Sequence, residues 1–374
     1  MSVLGCEKTD TNDDSNFNNQ FSLSENELLS IAGEMPAEFE SDVNLKSANS
    51  FKQLIEYKLF LRDGVPYYYV LNYKGGGFII LAADKRSEPL LAYSFDSNFP
   101  MDEVNMPDGL IDWKNATISV IDSLRQFNWV EDYVAERWDK AVKDGARPLL
   151  PIGDHPAELP DEVPDNTNDP LCNTKTYSVS PLLFTAWHQG VGFNNNAPYK
   201  SCSGQSNGRT LAGCVAIAGA QVMNYLEYPT TYNYDFMYNN TGSDEASRLI
   251  RDIDNAVDMD YGCSESGAKT KDLAKAFKEN FSYSSANYGD LNLKTLRDEI
   301  SWGYPVILRG QSSDGGHAWV CDGYNNYVNP CGANLLWLHM NWGWVSYREY
   351  NGNYKVGDFR GFNDKNKMIY RIRK

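Results

Sequence analysis

The chain has 374 residues, of which 42% are hydrophobic and 22% charged, so it is long enough to form two globular domains. Its formal net charge of −16, without any basic cluster, excludes a protein that binds nucleic acid through phosphate contacts. No run of about 18 apolar residues occurs, so the sequence contains no candidate membrane-spanning helix.

Residues 1–22 are predicted to form an N-terminal tether. Residues 3–6 (VLGC) are typical of the end of a bacterial lipoprotein signal, in which the cysteine is lipidated, but so short a motif also arises by chance. The residues up to Gln20 are rich in Asp, Asn, Ser and Thr and offer little to bury. Cys6 is therefore a candidate lipidation site that would tether the chain to a membrane.

Residues 23–147 are predicted to form a first, smaller domain of mixed helices and strands. Three glycines at 75–77 separate two extended segments and indicate a hairpin. Helical periodicity follows and stops at Gly145 and Pro148. The predicted strands are 67–73, 78–83 and 89–95, and the predicted helices are 111–127 and 129–142.

Residues 148–174 are predicted to be a linker, because five prolines and several acids between positions 148 and 169 favour extended, solvated backbone. Residues 175–374 then form the second domain, in which helices precede strands. This order is typical of the α+β class. The predicted helices begin at 214, 270 and 293, and the predicted strands are 305–309, 317–324, 335–340, 354–356 and 368–372.

Cys214 is a candidate nucleophile at the start of a predicted helix. It follows the turn residue Gly213, and apolar residues recur at helical spacing from there to Pro229. At a helix N-terminus the backbone N–H groups and the macrodipole favour thiolate over thiol. The alternative is a buried structural cysteine, since free cysteine is among the most buried residue types.

The seven cysteines lack the C-x-x-C spacing of a zinc site, so neither a metal nor another cofactor is implied. If Cys6 is lipidated and Cys214 is free, five cysteines remain and at least one of them stays unpaired. The sequence does not show which cysteines pair.

A cysteine nucleophile needs a base within hydrogen-bond distance, and the chain has only four histidines. His155 falls in the predicted linker and His188 in an aromatic segment, so neither lies on a predicted rigid element. His317 follows two glycines and opens a predicted strand, where close approach of the backbone is possible. His339 lies inside a strand, a position more often occupied by a structural histidine.

Several motifs, in the same order, resemble those of the streptopain family (peptidase family C10). The resemblance covers most of residues 175–374 and extends into the first domain, where it is similar to the inhibitory propeptide of that family. The motifs are 76–86 (GGFIILAADKR), 91–94 (LAYS), 212–216 (AGCVA), 220–225 (AQVMNY), 228–229 (YP), 257–262 (VDMDYG), 277–281 (FKENF), 315–318 (GGHA), 322–323 (DG) and 339–344 (HMNWGW).

The resemblance implies a papain-like catalytic domain, in which the helix bearing the cysteine packs on an antiparallel sheet or barrel, preceded by a smaller α+β prodomain. It implies that Cys214 is the nucleophile and that His317 is the general base. Asn341 would orient the imidazole, and Trp342, together with Trp344, would screen the His–Asn hydrogen bond from water.

The resemblance also implies an oxyanion hole and a substrate cleft. The backbone N–H of Cys214 and a glutamine side chain would hold the oxyanion. Gln205 is the candidate, although residues 206–211 separate it further from the cysteine than in the family. Ser266, Gly316 and Trp344 are candidate cleft residues. Residues 325–335 are longer than in the family, and we expect them to extend a loop over the cleft.

The predicted function is a bacterial cysteine endopeptidase that is secreted, periplasmic or attached to the cell surface. Its substrates would be proteins or peptides, and its own prodomain would inhibit it until the linker is cut. Two alternatives remain: a catalytically inactive surface module for binding or inhibition, and another thiol acyl-transfer enzyme such as an amidase.

Overall fold

The structure is a computed structural model that describes residues 20–33, 35–36, 51–102, 106–151, 174–311, 316–329, 333–344, 349–356 and 366–374. The chain divides into two compact units: Met1–Met101 with Ile121–Leu150, and Asp102–Val120 with Pro151–Lys374. The second unit therefore includes a segment from within the predicted first domain. The predicted boundaries at 22, 147 and 174 remain predictions.

The first unit contains an antiparallel meander in the order β3-β4-β5-β6 and a separate pair, β1 with β2. The predicted hairpin between β4 and β5 is present, and its three glycines all have positive φ angles. A Cβ at Gly76 would lie 2.4 Å from the carbonyl oxygen of Asp96, so only glycine fits there. The elements up to residue 150 are α1 (Glu25–Ala32), β1 (Met35–Pro36), β2 (Phe51–Lys52), β3 (Leu54–Arg62), β4 (Val65–Tyr73), β5 (Phe78–Ala82), β6 (Leu90–Ser94), α2 (Asp108–Leu124) and α3 (Asp132–Asp144), with a 3-10 turn at Arg147–Leu149.

Helix α1 is absent from the sequence-based predictions, although its N-terminus carries a capping box. The Ser24 side chain accepts a hydrogen bond from the Glu27 backbone N–H, and the Glu27 carboxylate accepts one from the Ser24 backbone. Helix α2 extends across both units, since its residues up to Val120 belong to the second.

The second unit contains an antiparallel sheet in the order β12-β11-β10-β9-β13-β8. The long strand β10 pairs with β11 along one edge, whereas its other edge pairs first with β9 and then with β7. From residue 175 onwards, the elements of the second unit are β7 (Lys175–Val179), α4 (Cys214–Leu226), α5 (Asp244–Ala256), α6 (Thr270–Glu279), β8 (Ser285–Asp290), α7 (Leu293–Ser301), β9 (Val306–Gln311), β10 (Gly316–Asn329), β11 (Ala333–Asn341), β12 (Gly352–Val356) and β13 (Lys367–Arg373), with a 3-10 turn at Tyr234–Phe236.

The prediction that residues 325–335 form a loop over the cleft is wrong for most of this segment. Residues 325–329 continue β10 and pair with residues 333–337 of β11, so the extra length extends a hairpin. β7 pairs with the same part of β10 from the other side. The backbone groups of this segment are therefore satisfied in the sheet.

Helix α4 packs on β10 and is buried on almost all sides, which explains its run of small apolar residues. At Gly219 a Cβ would lie 3.0 Å from the side chain of Leu273 on α6, so the small residue lets the helices approach closely. The helices and the antiparallel sheet confirm the α+β class. None of the helices among the described residues is both long enough and apolar enough to cross a membrane.

Candidate active site

Cys214 is the first residue of α4 and lies against β10. The residue before it, Gly213, has a φ of 91°. A Cβ at Gly213 would lie 2.7 Å from the Met259 sulfur and 3.2 Å from the Ser266 carbonyl oxygen. Glycine is thus required both by its backbone conformation and by the close approach of the 257–268 segment. This turn places the Cys214 thiol at a helix N-terminus, facing a pocket.

Burial dominates the environment of the Cys214 thiol. Burial raises its pKa to about 11, and the carboxylate of Asp108 acts in the same direction. Backbone hydrogen bonds from Ala318, Val215 and Cys214 itself act in the opposite direction, because they stabilise the thiolate. The thiol is therefore neutral at pH 7, although it lies at the helix N-terminus that favours the anion.

His317 lies on β10 and lines the same pocket as Cys214. The contact through Ala318, the next residue, brings the two candidate catalytic residues together. The imidazole Nε2 is 2.7 Å from the carbonyl oxygen of Trp342, to which it donates, since a carbonyl can only accept. Nδ1 has no hydrogen-bond partner among the described residues and keeps its lone pair.

His317 is neutral at pH 7, because burial lowers the pKa of its imidazole to about 4. Its side chain is surrounded by three tryptophan rings: Trp319 and Trp342 lie roughly parallel to it, and Trp344 meets it edge-on with ring centroids 4.8 Å apart. Trp342 and Trp344 are thus both packed against the histidine, and their predicted role in screening a His–Asn hydrogen bond from water stays a prediction.

Asn341 is buried on β11, and its side chain is engaged away from His317. Its Nδ2 donates to the Thr185 carbonyl oxygen at 2.7 Å, and its Oδ1 accepts from Gln221 on α4 at 3.4 Å. The structure therefore brings Cys214 and His317 together, whereas His317 bonds the Trp342 backbone. The predicted role of Asn341 in orienting the imidazole stays a prediction.

Two glutamines line the pocket, and sequence reasoning identified only one of them. Gln205 lies in a tight turn, where its Oε1 accepts from Asn194 at 3.5 Å. Gln189 is 5% exposed, and its carbonyl oxygen accepts from Ala212 N–H, two residues before the cysteine. The signal that could have found Gln189 is the segment Trp187-His188-Gln189-Gly190, which places an amide next to a flexible residue before the nucleophile helix.

The segment 257–268 forms one wall of the pocket. Backbone hydrogen bonds between Asp260 and Gly267 close it into a turn. The Ser266 hydroxyl donates to the Leu211 carbonyl oxygen at 2.8 Å, which ties this wall to the residues before Cys214. Gly316 and Trp344 also line the pocket, so all three candidate cleft residues lie there.

The first residues of α2 belong to the same unit as this pocket. Asp108 lines the pocket with Cys214 and His317. A Cβ at Gly109 would lie 2.4 Å from the Trp319 ring, and the indole N–H of Trp113 donates to the Lys355 carbonyl oxygen. The start of α2 is thus packed tightly against β10 and β12, and it introduces a carboxylate into the pocket of the thiol.

Two cysteines of the described residues, Cys202 and Cys263, form a disulfide, and two, Cys214 and Cys321, are free. The remaining three, including the candidate lipidation site Cys6, lie outside the described residues. Within those residues no group of three or more His, Cys, Asp or Glu side chains could hold a metal ion.

Comparison with known proteins gives two family-model matches. Residues 187–246 and 230–354 match the Peptidase C10 family, and residues 24–121 match the Spi protease inhibitor. Asp108 therefore lies within the inhibitor match, whereas Cys214 and His317 lie within the peptidase match.

Individual relatives agree with these matches. The thiol protease/hemagglutinin PrtT of Porphyromonas gingivalis is 28% identical over 349 residues, which cover 82% of this chain and 36% of the relative. Streptopain of Streptococcus pyogenes serotype M1 is 27% identical over 335 residues, 74% of this chain and 71% of that protein.

The solved structure of a prointerpain A fragment from Prevotella intermedia matches 86% of this chain and 99% of the fragment, with a TM-score of 0.58 and 24% identity. This match supports the fold alone. The chain spans about a third of the length of PrtT. From the two family-model matches and the thiol proteases among its relatives, we conclude that the chain belongs to the Peptidase C10 family and carries a Spi-type inhibitor segment before its peptidase segment.

Proposed function

We propose that the chain is the zymogen of a cysteine endopeptidase that hydrolyses peptide bonds in proteins. The observation that carries the proposal is the meeting of Cys214, at the first turn of α4, with the β10 segment of His317 in one pocket. An acyl-transfer enzyme needs a thiol, a base beside it and donors for an oxyanion, and all three kinds of group line this pocket.

In the proposed reaction the His317 imidazole takes the proton of the Cys214 thiol. The thiolate sulfur attacks the carbonyl carbon of the scissile peptide bond, and the carbonyl oxygen becomes an oxyanion. As the C–N bond breaks, His317 gives its proton to the leaving amine, which leaves a thioester on Cys214. Water, deprotonated by the same imidazole, then releases the carboxylic acid and restores the thiol.

Gln189 and Gln205 are the candidate side-chain donors to the oxyanion, together with the Cys214 backbone N–H. We favour Gln189, because it is buried and its backbone carbonyl oxygen accepts a hydrogen bond from the N–H of Ala212, two residues before the nucleophile. Replacing the true donor by alanine lowers kcat by about 10²-fold, whereas the other replacement leaves kcat within a few-fold. A steady-state comparison of Gln189→Ala with Gln205→Ala makes the assignment, and equal losses would contradict it.

The full chain is proposed to be latent, because its thiol and its imidazole are both neutral and Asp108 lines the cleft. Activation then requires removal of the inhibitor segment by a cut between 148 and 174. In the active enzyme we propose that His317 leaves the Trp342 carbonyl and bonds the Asn341 side chain, with Trp342 and Trp344 as its cover. Ser266 and Gly316 would contact substrate in the cleft.

The test compares the wild-type chain with Cys214→Ala under mild reducing conditions. Intact mass follows removal of the first domain, and an epoxysuccinyl inhibitor of papain-like proteases labels the nucleophile. Cys321→Ala is the matched control, because Cys321 is the other free, buried cysteine of the described residues. We expect wild type and control to shed the domain and label at Cys214. If neither protein sheds the domain by itself, and neither is labelled after a foreign protease has cut the linker, the protease proposal fails.

Two other functions would give different results in the same test. An inactive binding module would neither label nor hydrolyse any substrate. Another thiol acyl-transfer enzyme would label at Cys214 but would hydrolyse small amides in preference to a fluorogenic peptide library. The peptide library therefore separates the endopeptidase from an amidase.

We also propose that the enzyme acts outside the cytoplasm, tethered through a lipid on Cys6. The disulfide between Cys202 and Cys263 supports an oxidising compartment. Metabolic labelling with an alkyne fatty acid tests the tether: incorporation is expected in the wild-type chain, exported in a bacterium behind a lipoprotein signal peptide, and not in Cys6→Ala. Absence of label from both would contradict it.

A further inference from the structure

The disulfide between Cys202 and Cys263 joins two surface turns, and neither cysteine lies in a helix or strand. The two cysteines are 61 residues apart in sequence, on either side of the nucleophile helix in chain order. The proposed reaction assigns no role to either cysteine. Residues next to them, however, line the cleft: Gly262 and Ser264 flank Cys263, and Gln205 lies in the turn of Cys202.

Each of the two turns is closed by its own hydrogen bonds. In the first turn the Cys202 N–H donates to the Gly208 carbonyl oxygen and the Gln205 N–H to that of Cys202. In the second turn Asp260 and Gly267 exchange two backbone hydrogen bonds, and the Ser266 hydroxyl accepts from Gly262 N–H. The turns are therefore small rigid pieces, and the disulfide connects one to the other.

The second turn also contacts the residues just before the nucleophile. The Leu211 N–H donates to the Gly262 carbonyl oxygen, and the Ser266 hydroxyl donates to the Leu211 carbonyl oxygen. The Ser266 carbonyl oxygen also packs against Gly213, the residue before Cys214. This turn is thus hydrogen-bonded to the backbone three residues before the thiol.

Both turns line the same cleft, the first through Gln205 and the second through Ser264, Glu265 and Ser266. We propose that the Cys202–Cys263 disulfide is a brace that holds the substrate wall of the cleft in its binding position. The proposal rests on the proposed function and deepens it, because it assigns two positioning residues to the same site.

The brace makes activity depend on thiol reductants in two opposing ways. Cys214 acts only as a free thiol, so oxidation inactivates it. Two thiols of a reductant, however, also reduce the disulfide: each cysteine sulfur gains a hydrogen, and the two reductant thiols become one disulfide. Activity therefore passes through a maximum as the reductant concentration rises, and it falls when the brace opens.

The experiment uses the full chain after activation, with a fluorogenic peptidyl amide as substrate and dithiothreitol as reductant. We compare the wild type, the double variant Cys202→Ser/Cys263→Ser and the control Cys321→Ala, far below their unfolding temperatures. In the double variant we expect KM to rise about tenfold with kcat changed less than about threefold, because the wall binds substrate and the chemistry is retained. High dithiothreitol raises KM of wild type and control by the same factor and leaves the double variant unchanged.

A second measurement does not depend on activity. Hydrogen exchange of the backbone amides of Gly262 and Gly267 is followed in the oxidised and the reduced chain, and we expect about tenfold faster exchange after reduction. Unchanged exchange together with an unchanged KM in the double variant overturns the brace. If no variant hydrolyses the substrate, wild type included, the proposed function fails and the exchange rates alone decide about the brace.

Discussion

Two histidines of the catalytic sheet differ in their partners. His339 on β11 has the carboxylate partner that catalytic histidines often have, since its Nδ1 lies 2.6 Å from the Asp322 carboxylate. His317 on β10 instead bonds a backbone carbonyl, and its other nitrogen has no partner among the described residues. The pocket with the thiol, however, contains His317 and not His339.

The difference comes from a bulge in β10. Its pairing with β11 shifts between Cys321 and Gly323, so Asp322 is the extra residue and turns its carboxylate to His339. The other oxygen of that carboxylate accepts from the Leu183 backbone. The His339 pair therefore ties the chain before the cleft to the sheet. An acidic partner by itself thus marks a structural histidine here, and proximity to the thiol marks the base.

The largest expected difference between the two histidines is the loss of activity in His317→Ala. Without the base, peptide hydrolysis by the activated chain falls about 10³-fold, within the range for general acid–base catalysis. The matched variant His339→Ala keeps the rate within about threefold at temperatures where it is folded. Initial rates at equal protein concentration measure both. Comparable losses in the two variants would remove the distinction.

The second expected effect is on acid stability. The pKa of His317 is lowered from 6.5 to about 4 by burial, so between these values the folded chain binds fewer protons than the unfolded chain. The stability from this group is complete above about pH 6.5 and is lost as the pH falls through 4, by about 3 kcal/mol. Denaturant unfolding of the full chain at both pH values measures the loss.

The variants separate this effect from other titrating groups. His317→Ala lacks the histidine, so its loss of unfolding free energy between pH 6.5 and 4 is smaller than that of wild type by about 3 kcal/mol. His339→Ala retains the full loss. An equal loss in wild type and His317→Ala would show that the buried imidazole is not the group responsible.

A third effect concerns the thiol beside His317. Because burial raises the Cys214 pKa to about 11, its alkylation by iodoacetamide in the full chain rises up to that pH. At pH 8.5 labelling is about 10²-fold slower than for an ordinary cysteine, because only the thiolate reacts. Peptide mass mapping follows Cys214 alone. Asp108→Asn moves the midpoint to lower pH, and an unchanged midpoint would contradict the contribution of that carboxylate.

The smallest expected effect is the stability change in His339→Ala. It leaves the buried Asp322 side chain without its imidazole partner, which costs about 1–3 kcal/mol of unfolding free energy. Denaturant midpoints at pH 7 measure the change. His155→Ala, in the predicted linker, is the control and should change the midpoint little. A loss of activity without a loss of stability in His339→Ala would reverse the roles of the two histidines.

Much of the candidate site could be predicted from the sequence because it depends on local patterns. A glycine before a cysteine at the start of an apolar helix predicts the position of Cys214, and two glycines before His317 predict its strand. The hairpin at 75–77 was predicted for the same reason, since only glycine adopts its backbone angles. Periodicity located most helices and strands to within a few residues.

The extended hairpin at 325–335 was not predicted, because the extra length of this segment relative to the family was interpreted as a loop. In the structure Asn326 donates to Asn334 and to the Leu335 carbonyl oxygen, so partners far from the local pattern stabilise the strands. Gln189 was overlooked in a similar way, because only the hydrogen bond between its segment and Ala212 brings it to the pocket of the thiol.

The sequence by itself determined the family, the α+β class and the two residues that meet in the cleft, because motif spacing and hydrophobic periodicity are local properties. Only the tertiary structure decided the disulfide partners, the protonation of Cys214 and His317, and the present partners of Asn341. These depend on burial and on distances between segments far apart in the chain, and charge and pairing follow those distances rather than sequence order.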